Sequence, residues 1–305
     1  MDEPAPAPVR LRLRKGVILD DPPADARALH LARMRAAAPN MGPNSYFTLT
    51  SAAVAHGLPL WGDDLERVRL VYTTGGHGQV RSVTHAHKTP LVTPATTHVD
   101  GLRMTTLGRT AGDLMRRVTF GPALSIADAA LRLGASRTEL MAEVRSGRGC
   151  RIATEAIRRA DARSESPYES LARALMLQNG IPLPELQVEF RDEQGNFVAR
   201  SDFAWRRKRL IGEFDGEVKV TELLLPGESR DDVLRARARR DDRLRGLGQR
   251  VLHWDAQDIH DVTPFLASIR NHLGDVYVDH GLCPEAMGYR RRRTEGRNNP
   301  SPRRQ

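Results

Sequence analysis

Cysteine is almost absent from this chain: Cys150 and Cys283 are the only two in 305 residues, and they lie far apart. A disulfide framework or a thiolate zinc site needs several cysteines at set spacings, so neither is expected. Long apolar runs are missing as well. No stretch reaches the roughly 18 apolar residues that would cross a bilayer, and the N-terminus lacks the pattern of a signal peptide. The expectation is a protein of a reducing cytoplasm with no membrane partner.

Positive charge is plentiful. Lys and Arg total 47 against 38 Asp and Glu, a formal net charge of +9, with a pI near 10.2. Such a balance says little about fold but favours a polyanionic partner, nucleic acid first. The hydrophobic content of 40% supports ordinary cores, and 305 residues are enough for two domains.

In chain order, residues 1–44 read as a basic, Pro/Ala-rich arm, mobile over 1–23, with a short helix over 24–38 that ends at Pro39-Asn-Met-Gly-Pro43. Residues 45–150 read as a smaller α+β domain. It contains a helix from Thr50 to Gly57 and strands over 68–73, 80–87, 91–98 and 102–107. Gly108–Asp113 leads into a further helix, an amphipathic helix covers 125–133, and Ser136 and Glu139 begin another. His77, His85, His87 and His98 fall in this part without a cysteine or closely spaced acid, so they read as surface or polar-core histidines and not as zinc ligands. Arg145–Arg151 is a basic link, and the residues from 276 to 305 form an arginine-rich tail expected to be disordered.

The stretch Ser166–Trp254 carries the chemistry. It reads as helix, three strands, helix, strand. Ser166 at the cap, Pro167 at the first helical position and Glu169 at the third mark the helix start, so Glu169 is either a capping glutamate or a site residue. On the strands, two-residue alternation puts Asp202 on one face with Ala204, opposite Phe203 and Trp205 on the core face. It likewise places Ile211, Glu213 and Asp215 together. Asp202, Glu213 and Asp215 thereby become candidate ligands for a hard cation such as Mg²⁺ or Mn²⁺, which takes carboxylate and phosphate oxygens. The helix over 230–247 carries surplus arginine, and Arg237, Arg240 and Arg243 are candidate contacts to DNA phosphates.

The order Glu169, Asp202, Glu213, then Arg240-Asp241 on a helix and Gly248–Trp254 on a strand, resembles the PD-(D/E)xK nuclease superfamily, and within it the Vsr-like endonucleases labelled DUF559. The resemblance implies an α/β fold with a restriction-endonuclease-like αβββαβ core over 151–275. It further implies that Asp202 and Glu213 bind the metal, that the Phe214 carbonyl completes the set, and that Glu169 contributes from the first helix. The superfamily lysine belongs two residues beyond the acid of the third strand. This chain has Asp215 there, and Lys219 is the nearest substitute as the fourth catalytic residue. Separately, Ser51–Pro59, Arg109–Leu114 and Asp128–Leu131 resemble the AbiEi-type antitoxin-like regulators, which implies DNA or partner recognition by residues 45–150.

Two functions follow. One is a Mg²⁺-dependent DNA endonuclease. The other is an AbiEi-type antitoxin or transcriptional regulator with an inactive nuclease-like domain, suggested by Asp215 in the place of lysine. A toxin or repair protein is a possible further partner in either case.

Overall fold

The computed structural model describes residues 10–73, 79–80, 84–88, 95–215 and 230–288. Helices and strands are mixed in one α/β chain. Strands β1 (Arg10–Arg14) and β2 (Val17–Asp20) form a hairpin that turns at Lys15-Gly16, with Gly16 at φ 79°. The expected mobile arm is thus wrong from residue 10 onward. Leucine alternates with arginine over Arg10–Arg14, and Leu13 is buried, so the period of two outweighs the arm-like composition.

Helix α1 (Ala26–Ala37) begins where the Asp25 carboxylate accepts from the Ala28 N–H at 2.6 Å, and it turns His30 and Met34 inward. Six strands form one sheet in the order β5-β6-β4-β3-β8-β7: β3 (Ser45–Phe47), β4 (Val68–Tyr72), β5 (Gln79–Val80), β6 (Thr84–Lys88), β7 (Thr96–Val99) and β8 (Leu102–Thr105). Where one strand was expected over 80–87, β5 and β6 pair antiparallel. Of the strand expected over 91–98, residues 91–94 lie outside the described residues. His77 lies outside them too, His85 accepts from the Arg69 guanidinium, and His98 is exposed.

A helical layer follows: α2 (Leu49–His56), α3 (Leu107–Met115), α4 (Phe120–Arg132), α5 (Arg137–Glu143) and α6 (Cys150–Arg159). Gly108–Asp113 lies inside α3 instead of leading into it, because Thr106 already caps the Arg109 N–H. Phe120, Leu124, Ile126, Leu140 and Ile157 share one apolar cluster with Ala174 and Leu177 of α7 (Pro167–Gln178).

The second sheet has the order β12-β11-β10-β9, from β9 (Glu185–Arg191), β10 (Phe197–Trp205), β11 (Leu210–Phe214) and β12 (Arg250–Trp254). β9 to β11 run antiparallel, whereas β11 and β12 are parallel, with α8 (Arg230–Gly246) between them in sequence. One face packs Phe203, Trp205 and Trp254 against α7 and against α10 (Val262–Leu273), which follows the short α9 (Ala256–His260). On the other face Ala204, Ile211, Val188 and Phe190 pack with Leu244 of α8. The face of Ala204 is therefore a second core, not an open cleft, and Asp202 and Glu213 share it by alternation with Ala204 and Ile211.

The C-terminal tail also departs from expectation. Residues 276–288 are ordered: the Val278 N–H donates to the Gly180 carbonyl at 2.8 Å, His280 bonds the Ile181 carbonyl at 2.8 Å, and Ala286 is buried in the helical cluster. The arginine run from residue 290 lies outside the described residues. Among the described residues no helix is long and apolar enough to cross a membrane.

Candidate active site

Three elements deliver the acids. Asp202 lies on β10, where Oδ2 accepts from the Phe214 N–H of β11 at 2.8 Å, so a backbone donor fixes the carboxylate across the strand pair. Glu169 enters from the first turn of α7. Its N–H donates to the Ser166 hydroxyl at 3.1 Å, and its buried carboxylate accepts from the Glu165 N–H at 2.9 Å. Helix capping and a place in the site therefore coexist at one residue. Tyr168 and Phe214, the neighbours of Glu169 and Glu213, stack at 5.1 Å with an interplanar angle of 5°, while Trp61 meets Tyr168 edge-on at 5.7 Å.

Gln187 joins the acids. Its Nε2 donates to Glu169 at 3.2 Å and to Asp202 at 3.3 Å. The β9–β10 register pairs Ser201 with Val188 and Phe203 with Leu186, which leaves Asp202 and Gln187 opposite one another at an unpaired rung. Gln187 has φ 52°, in the left-handed region. For a residue with a side chain this costs about 1–2 kcal/mol. The kink also places Leu186 in one apolar cluster and Val188 and Phe190 in the other, which plain alternation forbids.

Glu213 is enclosed on β11, with its side chain 6% exposed and Oε2 3.1 Å from Arg240. Burial pushes its pKa up to about 7; the Arg240 guanidinium pulls it down and the Asp202 charge pushes it up again. Burial, then the Asp202 charge, likewise raises Glu169.

Asp215 faces helix α8: it pairs with Arg237 and lies 3.3 Å from His253 Nδ1. His253 Nε2 in turn meets Asp241 at 2.7 Å. Burial opposes a charged His253, but the hydrogen bonds with Asp215 and Asp241 outweigh it, and its pKa is raised. Arg237, Arg240, Asp241 and Leu244 recur at i, i+3, i+4 and i+7, so the inward stripe of α8 is mostly charged. Two arginines expected at DNA phosphates, Arg237 and Arg240, thus engage carboxylates inside the molecule, because buried acids require countercharge. Arg243 is exposed on the outer side. Lys219 lies outside the described residues.

The chain was expected to offer Asp202, Glu213 and Asp215 to one ion. Asp215 is instead held by Arg237 and His253, and among the described residues no three His, Cys, Asp or Glu side chains gather to enclose a metal. A hydrated Mg²⁺ needs only one or two carboxylates. The remaining oxygens suit it: Oε1 of Glu213 and Oε1 of Gln187 are buried acceptors without a hydrogen-bond partner among the described residues. Gln187, Asp241 and His253 went unrecognised in the sequence. His253 had a signal, since β11 and β12 pair Glu213 with His253 in a parallel register. Gln187 had none, because its left-handed backbone breaks the alternation from which faces are read.

No family model matches the chain, and no solved structure matches it. It is similar to two uncharacterized proteins of Mycobacterium tuberculosis, from strains CDC 1551 / Oshkosh and ATCC 25618 / H37Rv. Each is 34% identical over 121 residues, which cover 38% of this chain and 44% of the relative. The chain spans less than half the length of these curated relatives.

Proposed function

We propose that the chain is a metal-dependent DNA endonuclease, with a restriction-endonuclease-like αβββαβ core of the PD-(D/E)xK and Vsr-like kind in its C-terminal half and an AbiEi-like recognition region before it. The observation that carries this reading is the set Glu169, Asp202 and Glu213, contributed by α7, β10 and β11 and coupled through Gln187 and mutual repulsion. The element order α7, β9, β10, β11, α8, β12 supports it as well. Fold likeness alone carries no chemistry, so the weight rests on these side chains.

In this reading Asp202 and Glu213 would hold Mg²⁺ or Mn²⁺, which when bound would neutralise charge on the phosphodiester and lower the pKa of a water. The Phe214 N–H keeps Asp202 from rotating, and Glu169 orients the attacking water. The charge that develops on the phosphate calls for a cation. Lys219 lies outside the described residues, whereas Arg240 stands beside Glu213. Arg243 contacts the backbone of the DNA, a non-specific attraction.

Cleavage of supercoiled and of mismatched DNA with Mg²⁺ or Mn²⁺ tests the proposal. Wild type is expected to nick and Asp202→Ala to lose activity by about 100-fold or more; equal nicking by both would sink it. A second reading, a DNA-binding regulator with an inactive nuclease-like domain and a toxin partner, is favoured by one observation. Asp215, where a catalytic lysine was expected, is tied up with Arg237 and His253. DNA binding without metal-dependent nicking would select it.

A further inference from the structure

Carboxylates that share a site repel one another, and something must hold them together when no cation is bound. Between Glu169 and Asp202 that something is a single amide group: Gln187 Nε2 lies 3.2 Å from one and 3.3 Å from the other. Among the described residues nothing else bridges the pair. The Glu165 N–H serves only Glu169, and the Phe214 N–H serves only Asp202.

The amide reaches both acids only from an unusual backbone. Gln187 takes φ 52° in mid-strand at the rung opposite Asp202, a conformation that glycine or asparagine would adopt more readily. Its other amide atom, Oε1, is buried and accepts from no donor among the described residues, and the same holds for Oε1 of Glu213, whose side chain is only 6% exposed. A buried acceptor without a donor is costly unless a cation or a donor fills the place.

We infer that Gln187 is the positioning residue of the cation site: Nε2 braces Glu169 against Asp202, and Oε1 supplies a neutral oxygen to the ion. The inference rests on the metal-dependent reading above and extends it to a residue with no acidic or basic function. Braces of this kind are worth roughly 10–100-fold in metal affinity.

The test titrates Mn²⁺ into the full chain by calorimetry and by electron paramagnetic resonance, for wild type, Gln187→Gly and Gln187→Asn. Both replacements suit the left-handed backbone, which offsets part of the lost bracing, so both are expected to fold and to melt cooperatively, which separates cation binding from folding. Asn keeps an amide but is one carbon too short to span the two acids. Expected is a loss of roughly 10–100-fold in Mn²⁺ affinity for both variants, with DNA nicking lost in parallel. Mn²⁺ binding by the variants within about twofold of wild type overturns the inference, as does a wild type that binds no Mn²⁺. Gln187-dependent binding in a protein that never nicks DNA would leave the inference standing and overturn the nuclease reading alone.

Discussion

Glu213 is buried with a pKa near 7, well above the ordinary carboxylate value of 4.5. Between those two values the folded protein holds a proton that the unfolded chain has released. Stability therefore falls as pH rises through this window, by on the order of 3 kcal/mol. Glu169 shifts in the same direction. His253 adds to the trend: its raised pKa contributes stability that is complete below its ordinary 6.5 and is lost as pH climbs through the folded value. Glu213→Gln keeps an acceptor for Arg240 but cannot ionise. In chelator it is expected to melt with wild type near pH 4.5 and above it at pH 8, and thermal denaturation at the two pH values checks this. If Glu213 holds the cation as proposed, Mg²⁺ should raise the wild-type melting temperature more at pH 8 than at pH 5, because it would bind the ionised carboxylate.

Helix α8 shows which elements the sequence made readable. Strands β10 and β12 and helix α10 fall where apolar residues and their spacing put them, because each carries buried apolar side chains along its length. α8 was also found, from its length and helix-forming residues, but its orientation was hidden. Three of its four inward residues are charged, and a stripe of Arg237, Arg240 and Asp241 reads in sequence like a solvated face. The β1–β2 hairpin was missed for the opposite reason: its alternation was present but lay within a Pro- and Arg-rich segment. Among the described residues of this inner stripe Leu244 is the apolar anchor, fully buried against the sheet. Leu244→Ala should cost about 2–5 kcal/mol and loosen α8 first, with early amide exchange over 234–246 as the readout. On β11, a methyl group added at Gly212 would lie 2.3 Å from the Trp254 ring. Gly212→Ala is therefore expected to cost about 1–3 kcal/mol in urea denaturation.

The two sheets are not independent bodies joined by a bare linker. Helices α2 to α7 share one apolar cluster, and Arg173 of α7 reaches the fully buried Asp128 of α4 at 2.7 Å. Asp128 also accepts from the Asp161 N–H at 2.7 Å, so a single carboxylate ties α4, α7 and the connection before α7. Removing one partner strands a buried charge. Arg173→Ala should lower stability by about 3–5 kcal/mol, whereas an apolar pair at both positions should recover most of it. Chemical denaturation of the single and double variants decides. At the same scale, the net charge of +9 predicts DNA binding that weakens steeply with salt. Arg237 and Arg240 spend their charge internally, so Arg243→Ala should flatten the salt slope by about 1, while Arg237→Ala should leave it nearly unchanged. The contact between Gly212 and the Trp254 ring has one more consequence. The indole rests on backbone directly beside Glu213, and the chain has only three tryptophans. The ring points into the core under α7 and α10, on the face of the sheet opposite the Glu213 side chain, so intrinsic emission can follow the loosening of that core in real time without a label.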